Sequence, residues 1–326
     1  MAHRAFDEQM AALDALTGRA LDEVGTPLVK KMLANRSNLL VAKAARLTEE
    51  NGLTQLVPDL IASFERFFIN PGKTDPQCWA KNALSHALMR LECRDKDVYL
   101  RGLHHRQMEP TWGGRSDSAA ELRANCAHAL VACDELDNLE LVGLLLELLA
   151  DPDKSVRVEA ARAIGQIGPL AAPLLRLRAL IPDEESEVSA ACFSALVSIE
   201  AEKAIPFIAR FLEKGDDAAG EAAFALAETR SPAALAALRN RLANSTEPWF
   251  TSVLLSAIAL TRLPEAADFL VSLIAAGKRE APIAVEALGR AAPSPELRER
   301  LRWAVEENGG EQVRKVFREQ FAEERN

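Results

Sequence analysis

Aromatic residues make up only 5% of this chain, with a single Tyr among 326 positions, although apolar content of 48% is ample for a large core. The remaining composition, rich in Ala, Leu, Glu and Arg, favours helices over sheets. The 5 cysteines (Cys78, Cys93, Cys126, Cys133, Cys192) are odd in number and contain no CxxC pair. That pattern points to reduced thiols and a cytoplasmic protein, with Cys126 and Cys192 acting as small buried hydrophobes. No apolar run reaches the roughly 18–20 residues that a membrane span requires, and MAHRAFDEQM lacks the apolar region of a signal peptide. The sequons at Asn35 and Asn244 are therefore chance matches.

An excess of positive charge is also missing. The formal net charge is −9, which disfavours a general polyanion binder. The balance is uneven: residues 1–120 carry 16 Lys/Arg against 15 Asp/Glu, and residues 121–326 carry 23 against 33. An acidic partner would therefore prefer the N-terminal third. No GxSxG, HExxH or CxxC motif occurs. Pro71–Gly72–Lys73–Thr74 ends like a phosphate-binding loop, but Phe67 stands where the first glycine belongs and no strand precedes it. These absences leave no catalytic constellation, and no cofactor or metal is expected.

The most regular stretch is Asp151–Gly168, DPDKSVRVEAARAIGQIG. Two aspartates around Pro152 suit a helix entry. Val156, Ala160, Ala163, Ile164 and Ile167 recur at helical spacing as one narrow apolar stripe. Gly168 and Pro169 then stop the helix. A stripe this narrow and small cannot form a core alone; it requires neighbours of the same kind. Its Ala163–Ile164 step reappears at Ala87–Leu88, Ala129–Leu130, Ala195–Leu196, Ala225–Leu226, Ala257–Ile258 and Ala287–Leu288, with Leu47 as an earlier, looser copy. Successive copies lie 30–42 positions apart, the range of helical repeats.

Between the copies the pattern predicts second helices over 54–69, 95–108, 138–150, 170–181, 203–214, 232–243, 264–276 and 294–308. A first helix over 6–16 and another from about Asp22 open the chain, and 311–325 forms a capping helix along Val313, Phe317 and Phe321. No segment alternates with period two. The expectation is an all-α chain of about eight helical hairpins with no β-sheet, forming one domain over 1–326. Within it, 1–117 is longer and less regular, 118–308 is regular, and 309–326 is the cap.

On these residues, DPDKSVRVEAARAIGQIG resembles the second helix of a HEAT repeat, in particular the bacterial type of phycobilisome lyases. The likeness is strong over 118–230, continues over 245–308, and in 22–117 rests on spacing and on the KAAR of Lys43–Arg46. It implies a right-handed α-α superhelix, armadillo-like, whose second helices line a concave face. It also implies an inter-repeat polar ladder at Asp151 and Arg157. Arg123 and Lys81 fill the arginine position in earlier repeats, and Ser189, Ala219, Thr251 and Ala281 interrupt it later.

At about 100° per residue, the arc opposite the stripe carries Ser155, Glu159, Arg162 and Gln166. Transferring these positions through the repeats places Arg46, His86, His128 and Arg162 in one row, with Trp79 and Trp249 at the Ser155 position. The expected face is basic and histidine-bearing at its N-terminal end. Its candidate binding residues are Arg46, Trp79, His86, His128, Arg162 and Trp249. A second candidate contact is the irregular joint RQMEPTWGGRSD, with Arg106, Trp112 and Arg115. There Trp112 either anchors an interface or folds back to plug a gap between ill-matched repeats, and the plug is the preferred reading.

The functional expectation is a non-catalytic scaffold or adaptor that binds a protein partner. Two alternatives stand beside it: a lyase-like subunit handling a chromophore, and a HEAT-like nucleic-acid binder in the manner of certain DNA glycosylases, which the net charge opposes. Another enzyme of this resemblance, deoxyhypusine hydroxylase, holds iron through His-Glu pairs, and this chain has no His-Glu dipeptide.

Overall fold

A computed structural model describes residues 2–21 and 24–321. About 75% of the chain is helical, with helices packed in series. The chain divides into two compact units, the first reaching to Leu170 and the second beginning at Ala171.

The first unit comprises α1 (Ala2–Asp14), α2 (Gly25–Leu33), α3 (Asn38–Glu50), α4 (Val57–Arg66), α5 (Pro71–Thr74), α6 (Trp79–Arg90) and α7 (Lys96–Leu103). It continues with strands β1 (Met108–Thr111) and β2 (Gly114–Asp117), then α8 (Ala120–Val131), α9 (Asn138–Leu146) and α10 (Lys154–Ile167). The motif helices α3, α6, α8 and α10 lie side by side in that order, and α2, α4, α7 and α9 cover one side of this row. The narrow stripe is what permits the stacking. Ala44 and Leu47 in α3, Ala80, Leu84, Ala87 and Leu88 in α6, and Val156, Ala160, Ala163 and Ile164 in α10 are all fully buried. Small residues at these positions bring neighbouring backbones close, and each helix buries its stripe against the next.

The second unit repeats the arrangement: α11 (Ala172–Leu180), α12 (Ser186–Glu200), α13 (Ile205–Ala209), α14 (Asp217–Glu228), α15 (Pro232–Ala243), α16 (Pro248–Leu260), α17 (Pro264–Ala275), α18 (Ala281–Arg290), α19 (Pro295–Asn308) and α20 (Glu311–Phe321). Its inner row is α12, α14, α16 and α18. The last helix, α20, takes the next place in that row by packing on α18 and burying Val313. Gly289 admits it, because a Cβ there would sit 2.9 Å from Gln320 Oε1. The end of the predicted cap, 322–325, lies outside the described residues, as does Asp22 at the predicted start of the second helix.

Two expectations need correction. The chain is not free of sheet: β1 and β2 form an antiparallel hairpin pairing Met108↔Asp117, Glu109↔Ser116, Pro110↔Arg115 and Thr111↔Gly114. In consequence the helix expected over 95–108 stops at Leu103. Pro110 within four residues of the strand start cannot continue a helix, and the Gly113–Gly114 pair supplies a tight turn.

Helix starts follow the aspartates. Of the two around Pro152, Asp153 caps α10, accepting from Ser155 N. Asp137 and Glu140 form a reciprocal capping box on α9. Asp151 is thereby released for another partner.

Candidate functional site

The row predicted from the repeat register exists in the first unit: Arg46, His86, His128 and Arg162 stand on the adjacent helices α3, α6, α8 and α10. Trp79 opens α6 and is 48% exposed, and Leu39, at the equivalent place in α3, is also exposed. Trp249 stands at the corresponding repeat position of the second unit's inner row. It belongs to α16 in the second unit, where it lies half-exposed across Gly220 of α14 and stacks on Phe250 with centroids 6.0 Å apart.

The face is not basic. Carboxylates from adjacent helices meet its cations. Glu49 of α3 bonds His86 Nδ1 at 2.8 Å and lies 3.7 Å from Arg90 Nε. Glu159 of α10 bonds His128 Nε2 at 2.6 Å and accepts from Arg162 Nη1 at 2.5 Å. Lys43 pairs with Asp14 at 2.9 Å, and Asn82 Nδ2 donates to Glu121 at 3.0 Å. Gln166 Nε2 completes the cluster at 3.2 Å from His128 Nδ1. The His128 hydrogen bond, followed by the Arg162 charge, holds the Glu159 carboxyl below the usual carboxylate range against the opposing effect of burial. Arg46 stays exposed and has no carboxylate partner among the described residues. The expected positive groove is thus a neutral, cross-linked face on which Arg46, Trp79 and Leu39 stay open.

Beneath it runs the polar ladder. Asp75 and Lys81 pair at 2.9 Å with both side chains fully buried, and Asp75 also receives the N–H groups of Ala80 and Lys81. Asp117 and Arg123 pair at 2.7 Å. Arg123 reaches on to Asp151 of the next repeat, while Arg157 Nη1 donates to the carbonyls of Asp151 and Pro152 at 2.8 and 3.0 Å. Each ladder Asp is followed six positions later by Lys or Arg, at Asp75/Lys81, Asp117/Arg123 and Asp151/Arg157, a spacing that Asp95/Arg101 also has outside the ladder. In the second unit Asp183 has no Lys or Arg six positions later and pairs with Arg178 instead.

The joint at 104–119 behaves differently from its preferred sequence reading. Trp112 plugs nothing: it sits at the hairpin tip with a relative exposure of 105%. Arg106 is bound within the ladder, 3.0 Å from Asp151 and 3.7 Å from Asp117. Arg115 Nη2 donates to Met108 O at 2.8 Å and is otherwise turned outward. His105 is held against Phe68 with centroids 4.9 Å apart, and burial lowers its pKa. Sequence reading missed Glu109, a buried carboxylate that accepts from Gln77 N at 2.8 Å and Gln77 Nε2 at 2.7 Å.

No group of three or more His, Cys, Asp or Glu side chains among the described residues is arranged to hold a metal ion. None of their helices is long and apolar enough to cross a membrane.

These features define an all-α helical-repeat protein. Residues 142–219 match the family model described as HEAT repeats, which supports a HEAT-repeat relationship for this chain. No curated protein matches the chain.

Proposed function

We propose that the chain is a non-catalytic helical-repeat scaffold that binds a protein partner through the exposed face of α3, α6, α8 and α10. HEAT repeats form helical scaffolds that often bind proteins. The observation that carries the reading is the contrast within that face. Its histidines are tied to carboxylates across helix boundaries and Arg162 to Glu159 within α10, whereas Trp79, Leu39 and Arg46 remain open. Such a surface is ordered before binding and carries an aromatic and an arginine, the residue types that dominate interface energies.

The same pairing weighs against nucleic acid as the partner, because cations already neutralised by carboxylates release few counterions on meeting phosphate. Quantitative affinity capture of the full chain from its native cells tests the proposal. A protein recovered at constant stoichiometry, and lost with Trp79→Ala combined with Arg46→Glu, is expected. A turnover activity with no reproducible protein partner would sink it.

A further inference from the structure

The β1–β2 hairpin is anchored more firmly than a connecting loop requires. At its base, the Glu109 carboxylate accepts from Gln77 N, Gln77 Nε2 and Gln107 Nε2, and the Gln107 amide also donates to Asp75 O at 2.8 Å. The opposite strand ends in Asp117, which accepts from Gln107 N, Ala119 N and Arg123. Gln107 and Glu109 are only 4% and 7% exposed. The bonds to Gln77, Asp75 and Arg123 tie the hairpin to the ladder and to the segment that leads into Trp79, and the others close its base.

The tip offers the reverse. Thr111 pairs with Gly114, leaving Trp112 and Gly113 as a two-residue turn, with Gly113 at φ +94°, a conformation that favours glycine. Trp112 is therefore held out at the end of the hairpin, and its indole is covered by none of the described residues. Beside it Arg115, cross-strand from Pro110, has no carboxylate partner among the described residues. A fixed, protruding Trp pays little ordering entropy on binding and fits a concave recess rather than a flat or convex surface. The charge of the surroundings selects the rim of that recess. Arg115 supplies that charge: it stays open, whereas Arg90, Arg94, Lys96, Arg101 and Arg106 are already paired with Glu49, Asp134, Glu135, Glu65 and Asp151.

We propose that the hairpin Met108–Asp117 is a docking arm for a folded protein that receives Trp112 in an apolar pocket and meets Arg115 with carboxylates at the pocket rim. This rests on the scaffold reading and adds to it the chemistry of the partner.

The test places a photo-crosslinking amino acid at position 112 of the full chain in its native cells. Parallel proteins carry it at the exposed Trp79 and, as a control, at the exposed Trp303 of the second unit. The expected result is one protein captured at 112 and not at 303, through a segment rich in Asp and Glu around an apolar recess. With that protein purified, Trp112→Ala should weaken binding about thirty-fold or more, as truncation of a hot-spot aromatic does. Arg115→Glu should weaken it about ten-fold, with a smaller effect at high salt. Both substitutions are fully exposed, and an unchanged melting curve verifies that they leave the fold intact.

No capture at 112, capture at 112 and 303 alike, or unchanged binding by Trp112→Ala overturns the proposal. So does Trp112-dependent sedimentation with vesicles of phosphatidylcholine and phosphatidylglycerol, which would make a lipid surface the partner. Capture at 79 without capture at 112 would remove the docking arm and leave the scaffold reading standing. Capture at neither position would remove both.

Discussion

Arg123 and Asp151 join successive repeats through two parallel bonds, Nε to Oδ2 at 3.0 Å and Nη2 to Oδ1 at 3.1 Å, with side chains 1% and 0% exposed. The remaining guanidinium nitrogen reaches Asp117 at 2.7 Å and His105 O at 3.0 Å. One arginine thus ties together the hairpin base, α8 and the entry to α10. A buried fork of this kind contributes mainly by being complete, since loss of Asp151 would leave the buried Arg123 to Asp117 alone, and loss of Arg123 would leave the buried Asp151 to the exposed Arg106.

Removing one partner should therefore be costly. Asp151→Ala is expected to destabilise the protein by about 3–5 kcal/mol, read from urea unfolding. Replacing Arg123 and Asp151 together with Met and Leu should recover a large part of that loss. A loss under about 1 kcal/mol for the single change would show the pair to be ornamental.

The His128–Glu159 pair sets a dependence on acid. The folded carboxyl titrates below its unfolded value, so its contribution is present above the unfolded pKa of about 4.3 and disappears as pH falls through the depressed folded value. His128→Ala removes the first cause of the depression. Its destabilisation should be about 0.5–1 kcal/mol at neutral pH and fade below about pH 4, measured by denaturant unfolding across pH. A penalty that persists unchanged at low pH would contradict the assignment.

Gly102 in α7 is set by the approach of α8. A Cβ there would lie 2.4 Å from Cys126 Sγ and 3.2 Å from Leu122 Cδ1. Gly102→Ala should cost about 1–3 kcal/mol through overpacking. Gly102→Ala with Cys126→Ala should be less destabilised than the sum of the two single changes, since each substitution relieves the other's defect.

Thiol reactivity should separate the cysteines. Burial pushes the Cys78 and Cys192 thiols up to about 12 and Cys133 to about 11, and raises Cys126 as well. Only Cys93 is partly open to solvent. At mild alkaline pH one thiol should react rapidly with a disulfide reagent and the other four only on unfolding, and Cys93→Ser should abolish the fast phase. Two or more fast thiols in the native protein would contradict this packing.

The repeat register was legible because it depends on neighbours within a helix. Ala163–Ile164 and its copies align Arg46, His86, His128 and Arg162, and these four stand on adjacent helices. The charge of the face was not legible. Glu49 reaches His86 across 37 positions and Glu159 reaches His128 across 31, and spacing within one helix says nothing about such pairs. The hairpin escaped for a different reason. Its strands have four residues each, include a proline and carry little apolar alternation, so local propensity has no strand signal to offer. What holds it is Glu109 on Gln77, a tertiary contact.

A protein partner is proposed to bind the first unit's exposed helix face. Hydrogen exchange of the full chain, alone and saturated with the protein captured from its native cells, tests it most directly. Added protection is expected at the N-terminal halves of α3 and α6, around Leu39 and Trp79. Protection confined to the second unit, or no change on binding, would contradict it.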